Sequence, residues 1–213
     1  MQFADRHDAG RRLATRLLAV GLSDPVVLAL PRGGVPVGYE VAQMLHAPLD
    51  VIVARKIGAP FQPELGVDAL AEGGVTVFDE STMRALDLDA TDLAPTVERE
   101  TIELERRVRS YRGDREALDV DGRSVIVVDD GLATGVSARA ALRSVRQRRP
   151  GRLILAVPVG PPSAETFMTP DADDVVVLEV PPRLSAVGQW YADFTQTSDE
   201  TVVDLLAASR SAG

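Results

Sequence analysis

The 213-residue sequence predicts an α/β domain: a mainly parallel central sheet flanked by helices, with a helical insertion and a small C-terminal hood. Three observations carry that prediction. Short runs such as VVLAL (26–30), VIVV (125–128), LILAVPV (153–159) and VVVLEV (175–180) are almost wholly apolar rather than alternating, as strands covered on both faces are. Stretches with helical spacing of apolar residues lie between them. Gly-rich, charged turns follow several runs, and ligands of parallel sheets sit beyond the carboxyl ends of strands.

Taken in order, Ala4–Leu18 is an amphipathic helix with Leu13, Leu17 and Leu18 on its apolar side. VVLAL is the first strand and stops at PRGG (31–34); Val35–Leu45 follows as a helix. VIVAR (51–55) reads as the second strand, and KIGAPFQPELG after it has neither helical nor strand period. Leu65–Phe78 reads as two short strands around the Gly73-Gly74 turn. Residues 79–118 form a polar helical insertion. In it Pro95 is a helix start, and Val97, Thr101, Leu104, Val108 and Tyr111 make one apolar stripe. After the VIVV strand, Ser137–Arg149 is a helix closed by Pro150-Gly151. LILAVPV and VVVLEV are further strands, and residues 181–213 form the hood and a last helix, Thr197–Ala208, with Ser198 or Asp199 as N-cap. No repeat or linker divides the chain, so 1–213 reads as one domain.

Composition bounds the function. A net charge of −9 argues against nucleic acid as the main partner, because that binding is led by phosphate neutralisation. The absence of cysteine excludes disulfides and thiol chemistry and fits the cytoplasm. The start, MQFADRHDAGRR, has no apolar core of a signal peptide, and no apolar run is long enough to span a bilayer. Arginine is abundant, yet Lys56 is the only lysine. A codon bias explains the arginines but not the exception.

The turn after VIVV raises the chemical question. Asp129 and Asp130 are adjacent at the end of a buried strand, and like charges resist ionising together. The loop GLATGVS (131–137) offers backbone N–H groups at a helix start, Gly131 and Gly135 permit unusual φ, and Thr134 and Ser137 add hydroxyls. That is an anion site suited to phosphate. No Gly-Lys-Ser/Thr follows, so it is not a Walker loop. Carboxylates accept hydrogen bonds from vicinal hydroxyls. A ligand with a diol at one end and a phosphate at the other satisfies both features, and ribose 5-phosphate has that shape. In a parallel sheet PRGG, RKIGAP (55–60) and DDGLATGVS (129–137) are expected along one edge.

VIVVDDGLATGVS resembles the phosphoribosyl-diphosphate motif of type I phosphoribosyltransferases: four apolar residues, two acids, then a small-residue loop with Thr-Gly. PRGG resembles the diphosphate loop of that family and ARKIGAP the basic segment leading into its mobile loop. The resemblance implies a phosphoribosyltransferase that binds 5-phosphoribosyl 1-diphosphate with Mg²⁺ and moves the phosphoribosyl group to an acceptor nitrogen, that of a nucleobase in salvage-type chemistry. By the same resemblance, Asp129 and Asp130 hold the ribose hydroxyls, directly or through Mg²⁺. Ala133, Thr134, Gly135, Val136 and Ser137 hold the 5-phosphate. Arg32 and Gly33 line the diphosphate, with a Pro31–Arg32 peptide of the kind that similar loops often hold cis. Lys56, with Arg55, neutralises departing diphosphate, and Lys56 and Arg32 are the catalytic cations. Relatives are often homodimers.

The sequence departs from the family in two places. Hypoxanthine-type enzymes carry an Asp general base where Ala133 stands; adenine-type enzymes have Ala-Thr-Gly, as here, and use another acid. No proton acceptor is identified, although Glu64, Asp68 and Glu72 lie near the candidate mobile segment. Near the C-terminus, Trp190 and Tyr191 resemble the aromatic stretch of purine enzymes, but the Gly188-to-Asp193 spacing is one residue longer. Two readings stand: the rings stack on a flat base, or they pack the last helix onto the sheet.

Simpler roles cover the remaining features. His7 and His46 lack partners at metal-ligand spacing, and the arginines from Arg139 to Arg152 solvate a face and complement a helix end. A phosphorylation receiver domain is excluded, because no lysine follows the acidic pair. A non-catalytic module that senses phosphoribosyl diphosphate or a nucleotide remains the alternative. PRGG and RKIGAP favour an enzyme, since ribose phosphate alone requires neither.

Overall fold

A computed structural model describes residues 2–59, 62–78 and 80–211; side chains are described for all of these except 59, 62–68, 78, 80–82 and 90. Five strands form a parallel sheet in the order β2-β1-β6-β7-β8: β1 (Pro25–Ala29), β2 (Leu49–Val51), β6 (Ser124–Val128), β7 (Arg152–Val159) and β8 (Asp174–Glu179). Side chains alternate between its faces. Val27, Ala29, Ile126, Val128, Ile154 and Ala156 enter one core. Val26, Leu28, Val125, Val127, Leu153 and Leu155 enter the other. Both faces are dry along β1, β6 and β7, so those runs read as unbroken hydrophobics, whereas the edge strand β8 is only half-buried.

Helices α1 (Arg6–Leu17), α2 (Gly34–Leu45), α4 (Ala90–Arg112) and α7 (Asp199–Ser211) cover the first face; α5 (Val136–Gln147) and the short α6 (Ala164–Met168) cover the second. The Asp5 carboxylate caps α1 by accepting from Asp8 N–H, and the Ser198 hydroxyl accepts from Thr201 N–H at the start of α7. Of the predicted stripe on α4, Leu104 and Tyr111 are buried and Val97 and Val108 pack against them.

Three local expectations need correction. VIVAR is not one strand. The chain leaves the parallel sheet after Val51 and re-enters strand geometry at Ala54 in a second, antiparallel sheet, β3 (Ala54–Ala59), β4 (Gln62–Ala71) and β5 (Val75–Phe78). An apolar run looks the same whether a sheet continues or is exchanged for another. Residues 55–59 of RKIGAP are therefore part of an antiparallel sheet and not the end of a parallel strand, and residues 62–66 of the Gly- and Pro-rich segment are strand; residues 60 and 61 lie outside the described residues. Pro95 does not start the insertion helix. Asp89 and Asp92 form a reciprocal capping box that begins α4 five residues earlier, with Pro95 inside it. The short α3 (Glu80–Ala85), α6 and a 3₁₀ turn at Val187–Trp190 are too brief for periodicity to reveal.

The exchange of sheets is held by a buried arginine. Arg112, at the end of α4, donates to Asp50 Oδ2 and Glu72 Oε2, both at 3.0 Å, and to Val51 O at 2.9 Å. Glu72 Oε1 also accepts from Val53 N–H at 2.9 Å.

Candidate active site

Strands β1 and β6 are neighbours in register, Ala29 beside Val128, so their C-terminal turns meet. PRGG leaves β1 there with a cis Pro31–Arg32 peptide, and Asp129 and Asp130 leave β6. The two glycines answer a packing need. A Cβ on Gly33 would lie 2.0 Å from Asp130 Oδ2, and one on Gly34 would lie 2.7 Å from Val128 O. Gly33 itself has an ordinary helical φ of −61°, so closeness rather than backbone freedom excludes a side chain.

Beyond the acids the backbone turns into α5. Gly135 sits at the N-cap with φ +75°, where a Cβ would also lie 2.0 Å from Met168 Cε. Gly131 does not have a positive φ; its place is set by Val187 of the hood, 2.5 Å from where a Cβ would be. No side chain caps α5, so its first amides are left for an anion. Residues 131–138 line a cleft of ≈ 100 Å³, and Lys56 and Asp129 form the rest of its wall. Ala133 and Thr134 are exposed; Val136 and Ser137 are half-buried.

The acid pair is electrostatically strained. Burial, and then the neighbouring Asp130, raise the Asp129 pKa well above the usual carboxylate range; Arg6 and Lys56 offset this only in part. Burial also raises Asp130, opposed chiefly by Arg6. Asp129 Oδ1 accepts from Asp130 N–H at 2.8 Å. Two hard carboxylates in this state suit a cation or hydroxyl donors.

The two basic residues of β3 part company. Adjacent residues of a strand face opposite ways: Lys56 lines the cleft, whereas Arg55 turns to α4, 2.6 Å from Glu100 Oε2 and 3.9 Å from Glu103 Oε1. In this arrangement the charge of Arg55 is matched by acids of α4, away from the cleft. Arg32 lies 4.0 Å from Asp199 Oδ1 at the start of α7. Asp199 also accepts from the Tyr111 hydroxyl, and burial together with that carboxylate pushes the Tyr111 phenol up to about 12.

The aromatic expectation is also revised. Tyr191 is 3% exposed, with its ring between Phe3 (5.3 Å) and Phe194 (5.0 Å) and its hydroxyl donating to Asp130 O at 2.5 Å. It has no face free for a base, and it braces the acid pair against the N-terminal segment rather than packing α7 onto the sheet. Trp190 is half-buried against the same cluster. Glu72 is an interior partner of Arg112; the side chains of Glu64 and Asp68 lie outside the described residues. His7 pairs with Glu40 at 2.8 Å. Arg139, Arg143, Arg146 and Arg152 pair with Asp171, Asp173 and Asp174. Arg6 was not legible in the sequence. It contacts Asp130 across 124 positions, and nothing in its local pattern separates it from other arginines of α1.

Comparison with known proteins identifies the family to which these features belong. The family model "Phosphoribosyl transferase domain" matches residues 3–190, and the chain belongs to that family. It is 47% identical over 204 residues, 96% of this chain, to proteins of two Mycobacterium tuberculosis strains, H37Rv and CDC 1551, that carry the provisional name phosphoribosyl transferase. It spans 46% of their length, about half of the curated relatives it matches. The crystal structure of TT1426 from Thermus thermophilus superposes with a TM-score of 0.84 at 43% identity, covering 98% of this chain and 99% of that one. A Neisseria gonorrhoeae protein solved with ppGpp bound shares the fold, with a TM-score of 0.53 at 13% identity and 99% coverage of both chains. No helix among the described residues is long and apolar enough to cross a membrane.

Proposed function

We propose that this domain transfers the phosphoribosyl group of 5-phosphoribosyl 1-diphosphate to an acceptor nitrogen, that of a nucleobase, and releases diphosphate. One observation carries the reading: Asp129 at the end of β6, the loop 131–137 leading into the uncapped start of α5, and Lys56 line one cleft. The loop amides with the Thr134 and Ser137 hydroxyls take the 5-phosphate. Asp129 takes the ribose hydroxyls, and Arg32 and Gly33 border the diphosphate.

Breaking the bond between C1 and the diphosphate oxygen leaves cationic character on the sugar and negative charge on the leaving group. Lys56 is placed to stabilise the latter, an interaction that strengthens as charge develops. Among the described residues no cluster of three or more metal-ligating side chains exists. Two carboxylates nevertheless fit Mg²⁺, which takes one or two of them and completes its shell with water and phosphate oxygens. When bound, Mg²⁺ supplies further charge neutralisation to the diphosphate.

Ala133 offers no proton acceptor, and Asp129 is the carboxylate in the cleft wall. This favours the second reading, a module that senses phosphoribosyl diphosphate or a nucleotide without turnover. Calorimetric titration with phosphoribosyl diphosphate, with and without Mg²⁺, tests the ligand; diphosphate release in a screen of bases separates enzyme from sensor. Binding that requires Mg²⁺ supports the site. No binding in either condition rejects the ligand.

A further inference from the structure

Arg6 opens α1, yet its guanidinium ends among the site residues. Nε and Nη2 each lie 2.8 Å from Asp130 Oδ2, and Nη1 donates to Thr195 O at 2.9 Å. The group lies 3.9 Å over the Phe194 ring. The side chains of Arg6 and Asp130 are only 10% and 16% exposed. The contact is built from three distant segments. A Cβ on Gly33 would meet Asp130 Oδ2 and, at 3.2 Å, Arg6 Nε. The hood is tied to the N-terminal segment by Phe3 N–H to Trp190 O, Ala192 N–H to Phe3 O and Asp193 N–H to Ala4 O, at 2.8–2.9 Å. Tyr191 then holds the backbone of Asp130.

This arrangement divides the acid pair. Asp130 is spent on Arg6 and does not line the cleft, whereas Asp129 does. We propose that Arg6 is a positioning residue that holds Asp130 as a built-in counter-ion. Asp129 is then the acid that meets the ligand, and the pair's pull on a bare divalent cation is weakened. The inference rests on the ribose 5-phosphate reading of the site; its cation arm stands without that reading.

The test uses Arg6→Gln and Arg6→Lys in the full chain. Mn²⁺ alone is titrated by electron paramagnetic resonance, and phosphoribosyl diphosphate with Mg²⁺ by calorimetry. Arg6→Gln is expected to bind Mn²⁺ about tenfold more tightly, the Coulomb effect of one charge removed about 6 Å from a divalent ion at water-like dielectric. It is expected to bind phosphoribosyl diphosphate about tenfold more weakly, because Asp130 loses its anchor. Arg6→Lys keeps the charge and stays near wild type for Mn²⁺, while falling short for the diphosphate ester because it lacks the fork geometry. A merely structural role moves both affinities down together with the melting temperature, and that outcome overturns the proposal. Unchanged Mn²⁺ affinity in Arg6→Gln overturns it as well. If the wild type does not bind phosphoribosyl diphosphate, the proposed function fails, and the Mn²⁺ comparison still decides the role of Arg6.

Discussion

Gly33→Ala isolates the contact on which the site's geometry depends. Gly33 has φ −61° and ψ −33°, values that alanine adopts freely. Judged by backbone alone, the change should stabilise the chain by about 0.5 kcal/mol through the unfolded state. The new Cβ, however, would lie 2.0 Å from Asp130 Oδ2 and 2.6 Å from its Cγ, where ordinary contact begins near 3.4 Å. The carboxylate must move by more than about 1 Å, and Arg6 opposes that with two contacts of 2.8 Å. Weakening a charge-assisted pair costs about 1–3 kcal/mol, so net stability should fall by about 1–2 kcal/mol. Asp130 is displaced from Arg6 much as it is when Arg6 is replaced, so affinity for phosphoribosyl diphosphate should fall by a similar factor, on the order of tenfold. Gly34→Ala is the control. Its Cβ would meet backbone, Val128 O at 2.7 Å and Asp129 Cα at 2.9 Å, which cannot rotate away. It should therefore lose more stability than Gly33→Ala. Urea denaturation and calorimetric titration read the two effects. A Gly33→Ala protein with wild-type stability and affinity would refute the described packing of PRGG on the acid pair.

Three other outcomes follow from the same structure. Lys56→Ala should lower kcat about 10²-fold with only a small change in KM, as for a leaving-group contact; steady-state kinetics showing the loss mainly in KM would make Lys56 a binding residue only. Asp129→Asn should stabilise the ligand-free protein near pH 7.5 by about 1 kcal/mol. The sign follows from the raised folded-state pKa. Ionised Asp129 costs stability above that pKa, and the cost disappears as pH falls below the unfolded value of about 3.9. Denaturation curves of the two proteins should converge near pH 4, and a less stable variant at pH 7.5 would contradict the assignment. Arg112→Met should destabilise by about 3–5 kcal/mol, because Asp50 and Glu72 keep their burial and lose their shared cation. A cost under about 1 kcal/mol in urea would show that Arg112 does not hold the exchange between sheets.

What the sequence determined by itself was local. Runs apolar at every position demand cover on both faces, so the parallel sheet and its flanking helices were legible in VVLAL, VIVV and LILAVPV. The acid pair and the glycine-containing loop before α5 were legible too, because strand end, carboxylates, amides and helix start are consecutive from Val128 to Ser137. Tertiary structure decided what depends on distant partners. Ile52 and Val53 are buried whichever sheet they serve, so the departure after Val51 left no trace in hydrophobicity. Arg55 and Lys56 look alike in sequence; strand alternation and the acids of α4 send one away and leave the other in the cleft. Tyr191 allowed two readings in sequence, a ring stacked on a base or one packing the last helix, and Phe3 and Phe194 take its faces. Arg6 joined the site only through a fold that closes 124 positions of chain. Short-range pattern records which faces must be dry and where an anion can be received. It does not record which distant charge will be folded against which, and here that determines the state of the acid pair.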